Sequence, residues 1–242
     1  MTPDFSVVIP TFERPDTLRQ VLEALGRQAG AVDFEVVVVD DGSRDATPAR
    51  LRLLSLPYPF RVFRQQNSGP AAARNRGVEE SRGRSILFLG DDTVPEPDLL
   101  AVHARAHREP RPFPVAVLGY TTWPRDRRVS PFLHHINEYG LQFGYGLIED
   151  PEAVPFNFFY TSNISIERRL LVDHPFDTTF PSAAWEDIEL AYRLDAKGLK
   201  IRYNAGAVTR HYHAMTIDSD FFREFLTGAP ALLRTELSEI FA

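Results

Sequence analysis

The chain of 242 residues contains no cysteine. That excludes disulfides, thiol catalysis and thiolate metal ligation. Lysine is almost missing too, with only Lys197 and Lys200. Nearly all positive charge is therefore arginine, which reads as a coding bias and not as a binding site. The net charge of −6 gives no bulk attraction to nucleic acid or to an anionic membrane. No apolar run approaches the ~18 residues of a membrane span. Met1 to Asp4 lead straight into a strand pattern, which leaves no room for a secretory signal. Neither G-x-G-x-x-G nor G-x-x-x-x-G-K-[ST] occurs, which argues against a dinucleotide enzyme or a P-loop ATPase. Together these absences point to a cytoplasmic protein, with a peripheral place at the inner membrane face left open. Ordinary apolar and charged fractions exclude a disordered chain.

What the sequence does contain is a set of apolar runs that stop abruptly at carboxylates. Ile86 to Leu89 run through Gly90 into Asp91 and Asp92. A short continuous apolar run bounded by glycine predicts a strand buried on both faces. Asp is a poor strand residue, so the strand should end at Gly90. Phe34 to Val39 end the same way, at Asp40-Asp41-Gly42-Ser43, and Phe5 to Ile9 end at Pro10-Thr11. In open α/β sheets, ligands bind beyond the carboxyl ends of the strands. Two adjacent acids there repel each other, and a divalent cation bound by hard oxygen relieves the repulsion. The plainer alternative is a polar turn, since Asp and Asn are common turn formers.

Between these runs the spacing predicts helices. Pro15 precedes Leu18, Val21, Leu22 and Leu25; a second helix starts near Asp45, and a third covers Ala71 to Val78. Phe60 to Phe63 is a further short strand. Alternating strands and helices predict a mostly parallel sheet flanked by helices, with right-handed crossovers. The second half is less regular. Pro97 to His107 reads as a helix and Phe113 to Gly119 as a strand. Thr121 to Tyr160 has weak periodicity and reads as a functional loop region. Asn163 to Ile166 predicts a strand, Glu167 to Val172 and Glu186 to Ala196 helices, Ile201 to Tyr203 and Ala207 to Thr209 two short strands. Phe221 to Leu226 and Ala231 to Phe241 read as terminal helices. One domain over residues 1–242 is the simplest count, with a nucleotide-binding half over 1–110 and a smaller mixed, acceptor-side half over 111–242.

Several side chains could carry chemistry. Asp41 could accept a hydrogen bond from a base or ribose, or cap the next helix. Arg74, after Gly69-Pro70, could offer a phosphate or base carbonyl a rigid donor fork. Trp185-Glu186-Asp187 opens the clearest helix of the second half. A helix N-terminus favours negative charge, so Asp187 is expected to stay ionised and to suit a general base. Trp185 could be a sugar platform or core. His211 and His213 flank Tyr212 near a strand end, where either could ligate a metal. His103 and His107 lie four apart, but on a helix face that reads as solvated and without a third ligand.

The order Val7-Val8-Ile9-Pro10-Thr11, Val39-Asp40-Asp41-Gly42-Ser43, Asn67 to Asn75, Phe88-Leu89-Gly90-Asp91-Asp92 and Trp185-Glu186-Asp187 resembles the family 2 glycosyltransferases. The resemblance spans about residues 5 to 215. It implies the GT-A fold and an inverting transfer of sugar from a nucleotide-sugar donor to a hydroxyl on a glycan, a lipid-linked acceptor or a small molecule, with Mn²⁺ or Mg²⁺; a UDP-sugar is the expected donor, with Asp41 accepting from uracil N3–H. It further implies Pro10, Thr11, Glu13, Asp41, Arg74 and Asp91 on the nucleotide side and Asp92 with His211 or His213 at the metal. Asp187 becomes the catalytic base, with Trp185 and Glu186 beside the acceptor. Gly90 stands where many members carry the first acid of D-x-D, which leaves Asp92 as the direct carboxylate ligand. The Q-x-x-R-W signature of processive synthases is absent, which implies single addition. A sugar-nucleotide pyrophosphorylase would carry a Gly-rich loop after the first strand, where this chain has Pro10 to Pro15. A non-catalytic nucleotide-sugar binding module is the other alternative.

Overall fold

The first strand, β1 (Phe5–Thr11), lies in the middle of a parallel quartet. It pairs on one side with β2 (Phe34–Asp40), which pairs with β3 (Phe60–Arg64), and on the other with β4 (Ser85–Leu89). The computed structural model describes residues 2–126, 128–140, 142–180 and 185–213. The expected helices at Phe221–Leu226 and Ala231–Phe241 lie outside the described residues.

Beyond β4 the sheet turns mixed. It continues through β5 (Thr93–Pro95), β6 (Val115–Thr122), β7 (Asn163–Glu167) and β8 (Lys200–His211), in the overall order β3-β2-β1-β4-β7-β6-β8-β5. β7 runs antiparallel to both β4 and β6, while β6 and β8 are parallel. The expected mostly parallel α/β sheet is thus observed, with its antiparallel pairs in the second half. β8 is one strand where two are expected. Its pairing jumps from Asn204 to Val208 opposite Gly119 and Tyr120. That bulge divides the apolar pattern in two without ending the strand. The three-residue β5, paired to the end of β8, is too short to give a pattern of its own.

Alternation along the strands explains why their apolar runs are continuous. Val8, Val37, Val39, Ile86 and Phe88 point to one face, where α3 (Gly69–Glu80), α6 (Arg168–Asp173) and α7 (Glu186–Asp195) cover them. Val7, Ile9, Val36, Val38, Leu87 and Leu89 point to the other, under α1 (Pro15–Leu25) and α4 (Leu99–Arg108). α3 lies close on β1: a Cβ at Gly77 would stand 2.3 Å from Val8 Cγ1. The short α2 (Thr47–Leu53) adds Leu51 at one edge. The stretch from Thr121 to Tyr160 is less irregular than its sequence suggests. It contains α5 (Pro131–Glu138), whose N-cap Ser130 accepts from Leu133 N, with Pro131 starting the helix. It also holds a buried aromatic group of Phe143, Tyr145, Phe158 and Phe159.

α4 departs from its expected solvated face. His103 is fully buried, because the helix lies over polar residues of β7. Asn163 Nδ2 donates to Ala207 O, which leaves Asn163 Oδ1 to accept from His103 Nε2 at 3.0 Å. His103 Nδ1 must then accept from Ser165 Oγ at 2.8 Å, and Ser165 Oγ accepts from His107 Nε2 at 2.7 Å. Both rings are neutral in this chain of bonds. Burial lowers His103 to about 3 and His107 to about 4.

The unfolded chain therefore binds more protons than the folded one from the ordinary histidine value down to those pKa values. Stability rises with pH through that window and is lost as pH falls below about 6.5. Ser165→Ala is expected to cost ~1–3 kcal/mol by orphaning His103 Nδ1. Thermal melts of both proteins from pH 4 to 8 check this. A variant as stable as the wild type at neutral pH, or a wild type with flat stability below pH 6.5, contradicts the assignment.

Candidate active site

Three neighbouring parallel strands, β2, β1 and β4, present their carboxyl ends side by side. Thr11 and Asp40 are level across the β1–β2 pair, and Asp41 N donates to Thr11 O at 2.9 Å. Asp40 is buried and accepts from Ser43 N at 2.9 Å, which closes the turn after β2. Asp41 takes the other direction. Its Oδ1 accepts from Gln65 Nε2 at 2.8 Å and Ser68 N at 3.0 Å, and its Oδ2 from Gly69 N at 2.9 Å. The carboxylate thereby holds the start of α3 against the end of β2.

Asp91 and Asp92 follow β4. Asp91 Oδ2 accepts from Thr11 Oγ1 at 2.8 Å. A Cβ at Gly90 would come within 3.2 Å of Asp92 Oδ1, so an acid at 90 would crowd the pair. Asp92 Oδ2 is the hub of the cluster. It lies 3.4 Å from His211 Nε2 and 3.6 Å from His213 Nδ1, and it accepts from Arg14 Nη1 at 2.5 Å. One ligand atom each from Asp92, His211 and His213 lies within 4.8 Å of the others. His211 is stacked between Trp123 and His213, with ring centroids 5.7 and 5.5 Å away. Its Nδ1 is buried with no hydrogen-bond partner among the described residues.

Charge in this cluster is strongly redistributed. Burial and the neighbouring Asp92 push the Asp91 carboxyl up to about 7, against Arg14 and Thr11. Burial also acts to raise Asp92, but hydrogen bonds to His211 and His213 and the Arg14 charge hold it well below the usual carboxylate range. The two acids thus split, with Asp92 the ionised member.

Asp187 approaches from α7. Its Oδ2 accepts from Thr161 N and Thr161 Oγ1, both at 3.3 Å, and its Oδ1 from Ile188 N at 2.9 Å. The next residue, Ser162, accepts from Gly90 N at 3.3 Å and from Thr93 Oγ1 at 3.2 Å. Adjacent residues before β7 therefore tie Asp187 to the loop that carries Asp91 and Asp92. Burial and then Glu186 raise Asp187 to about 6, with Arg74 and the Thr161 and Ile188 amides opposing. The helix N-terminus is thus outweighed by burial. Asp187 is mostly ionised at neutral pH, but it titrates far closer to neutrality than the sequence suggests.

Glu186 does not share that opening. It is buried, and its Oε1 accepts from Arg74 Nη1 at 2.5 Å. Glu186 and Arg74 were expected to serve acceptor and nucleotide respectively; in the structure they bond each other and tie α3 to α7. Arg74 Nε and Glu186 Oε2 keep no partner among the described residues. Trp185 adopts the left-handed conformation, φ 76°, at the start of α7. Glu13, φ 54°, is the other non-glycine residue with positive φ among those described. Its N–H donates to Ser43 Oγ at 2.9 Å, which pins the loop after β1. Such backbone strain concentrates at functional sites. Pro10 lies inside β1, next to Thr11.

Sequence reasoning missed Arg14. The signal was its position in the loop after β1, three residues after Thr11 and immediately before Pro15, but nothing local indicates that Glu13 turns it back onto Asp92. Among the described residues no helix is long and apolar enough to cross a membrane.

A family model described as Glycosyl transferase family 2 matches residues 6–169. The uncharacterized glycosyltransferase YfnE of Bacillus subtilis (strain 168) is 26% identical over 85% of this chain and 64% of its own length. The validoxylamine A glucosyltransferase of Streptomyces hygroscopicus subsp. jinggangensis (strain 5008) is 32% identical over 81% of this chain and 52% of its own. Among solved structures, S. aureus TarS 1-349 in complex with UDP superposes with a TM-score of 0.64 at 21% identity, covering 96% of this chain and 66% of that one. Mannosyltransferase PcManGT from Pyrobaculum calidifontis, in complex with GDP-Man and Mn²⁺, gives 0.67 at 20% identity, covering 98% and 66%. The fold is the GT-A fold of these structures. The chain spans about half to two-thirds of the length of these proteins.

Proposed function

The chain belongs to glycosyl transferase family 2, and from that premise we propose that it moves one sugar from a UDP-sugar to an acceptor hydroxyl with inversion, using a divalent cation held by Asp92, His211 and His213. What supports the proposal is the grouping of Asp92, His211 and His213 just beyond β4, with Asp187 tied to the same loop through the adjacent Thr161 and Ser162. A set of one carboxylate and two imidazoles fits a divalent transition ion, and it favours Mn²⁺ over Mg²⁺, which prefers oxygen ligands and dehydrates reluctantly. When bound, the ion supplies Lewis-acid neutralisation of the diphosphate leaving group.

The remaining work falls to the protein. Asp187 takes the proton of the acceptor hydroxyl as that oxygen attacks the anomeric carbon from the face opposite the diphosphate. Its raised pKa suits it, because a base works best when its pKa lies near the operating pH. The Arg74–Glu186 pair fixes α7 to α3 and so holds Asp187 and Asp41 in one frame. Trp185 borders the acceptor side next to Asp187.

Asp41 is placed to accept from a base N–H such as uracil N3–H. Each carboxylate oxygen accepts two bonds, and among the described residues Oδ2 has only Gly69 N. One lone pair is left for a base N3–H. Asp41→Asn is expected to weaken UDP by ~1–3 kcal/mol, the worth of a hydrogen bond to a charged group. It should also lower the melting temperature, since an amide NH₂ cannot accept from Ser68 N or Gly69 N. Calorimetric titration of both proteins with UDP, GDP and dTDP in the presence of Mn²⁺ tests the reading. GDP binding more tightly than UDP, or UDP binding unchanged in the variant, rules it out.

A further inference from the structure

Arg14 sits where the proposed cation would have to sit. We infer that its guanidinium is a tethered competitor of the divalent ion: it neutralises Asp92 when no ion is bound, and an ion enters only by displacing it. The inference rests on the metal reading above and extends it to a residue outside the ligand set.

The argument is geometric. Arg14 Nη1 lies 2.5 Å from Asp92 Oδ2 and 3.4 Å from His213 Nδ1, while those two ligand atoms are 3.6 Å apart. An ion at ~2.1 Å from both atoms is confined to a small ring around the line joining them. Every point of that ring lies within about 3.5 Å of Nη1, and the nearest points overlap it. Two cations at that separation repel strongly in a partly buried site. Ion and guanidinium therefore exclude each other in this arrangement.

The local chain is built for such a side chain. Glu13 turns through the left-handed region and is anchored to Ser43, which directs Arg14 back toward the strand ends. Arg14 Nε also lies 3.9 Å from Asp91 Oδ1, so one guanidinium spans both acids. The side chain is 38% exposed, so it has an open path to swing away. It caps nothing: α1 begins at Pro15 with no side-chain hydrogen bond from Arg14. Removing the charge therefore leaves the helix start intact.

The test is Mn²⁺ binding to the full chain without nucleotide, read by electron paramagnetic resonance of free Mn²⁺, for wild type, Arg14→Gln and Arg14→Gln/His211→Ala. Arg14→Gln is expected to bind Mn²⁺ at least ~10-fold more tightly than wild type, the scale of removing a close like charge. The added His211→Ala should erase the gain. Detectable binding in Arg14→Gln alone, with none in wild type, supports the inference in its strongest form. Equal or weaker affinity in Arg14→Gln overturns the competition while leaving the metal site standing. A gain that survives His211→Ala overturns it too, because the ion then sits elsewhere. No Mn²⁺ binding by any of the three proteins defeats the metal reading itself and the inference with it.

Discussion

Asp187→Asn is expected to lower the rate of sugar transfer by ~10²–10⁴, the usual worth of a general base, with little change in UDP affinity. Asn keeps the size and the two oxygen-side contacts to Thr161 in part, but it cannot take a proton. Among the described residues Asp187 hydrogen-bonds Thr161 and Ile188 and none of the groups that bond Asp41, so its loss should not reach the nucleoside. Glu186→Gln should behave differently. Glu186 bonds Arg74 and is buried, so its loss frees a cation beside Asp187 and removes a like charge from it. Both changes stabilise the ionised Asp187.

The acid limb of the pH–rate profile, expected near pH 6 in wild type, should then move to lower pH in Glu186→Gln. Transfer falls below that pH because the base becomes protonated. Other charged and titratable groups facing Asp187 are Arg74 on α3 and Tyr160 before β7, both present in either protein. Rate profiles of wild type and both variants, with UDP titrations alongside, decide the matter. A dead Glu186→Gln, or an Asp187→Asn that loses UDP binding and turnover together, makes Glu186 the better candidate or the site a different one.

Asp92→Ala is expected to abolish Mn²⁺-dependent donor turnover outright. Among the described residues, Asp92 Oδ2 is the carboxylate oxygen that both imidazoles and Arg14 approach, and it completes the ligand set with His211 and His213. The fold should survive. Arg14 is partly exposed and regains water, and Asp91 loses a like-charged neighbour. The melting temperature without metal should therefore shift by no more than ~2–4 °C, the effect of about 1 kcal/mol in a chain of this size. Full turnover in the variant, or in wild type with excess chelator, would remove the metal from the mechanism.

The strand-end acids were legible because of a sharp local contrast. A strand buried on both faces needs an unbroken apolar run, and a pair of aspartates ends it without ambiguity. The same holds for α1 and α7, whose apolar spacing is regular. What escaped depends on distant partners. Arg14 meets Asp92 across 78 residues and Arg74 meets Glu186 across 112, so neither pairing leaves a local trace. Glu186 therefore reads from sequence as a second acid for the acceptor, with no sign of the half-buried Arg74 that bonds it. His103 looked solvated because its helix was judged by its own spacing. Its partners Asn163 and Ser165 lie on β7, about 60 residues away. In β8 the bulge at Asn204 to Val208 split one strand into two apparent ones. Asp187 is ionised at neutral pH as expected, but its rise to about 6 was not legible, because a helix N-terminus can be read from sequence and burial cannot.

The most direct test of the whole account is release of nucleoside diphosphate from UDP-, GDP- and dTDP-sugars by the purified chain, with Mn²⁺ and with chelator, beside Asp92→Ala and Asp187→Asn. The account predicts release from a UDP-sugar that requires Mn²⁺ and is lost in both variants. Release that persists in chelator or in Asp92→Ala, or turnover confined to a GDP- or dTDP-sugar, would contradict it.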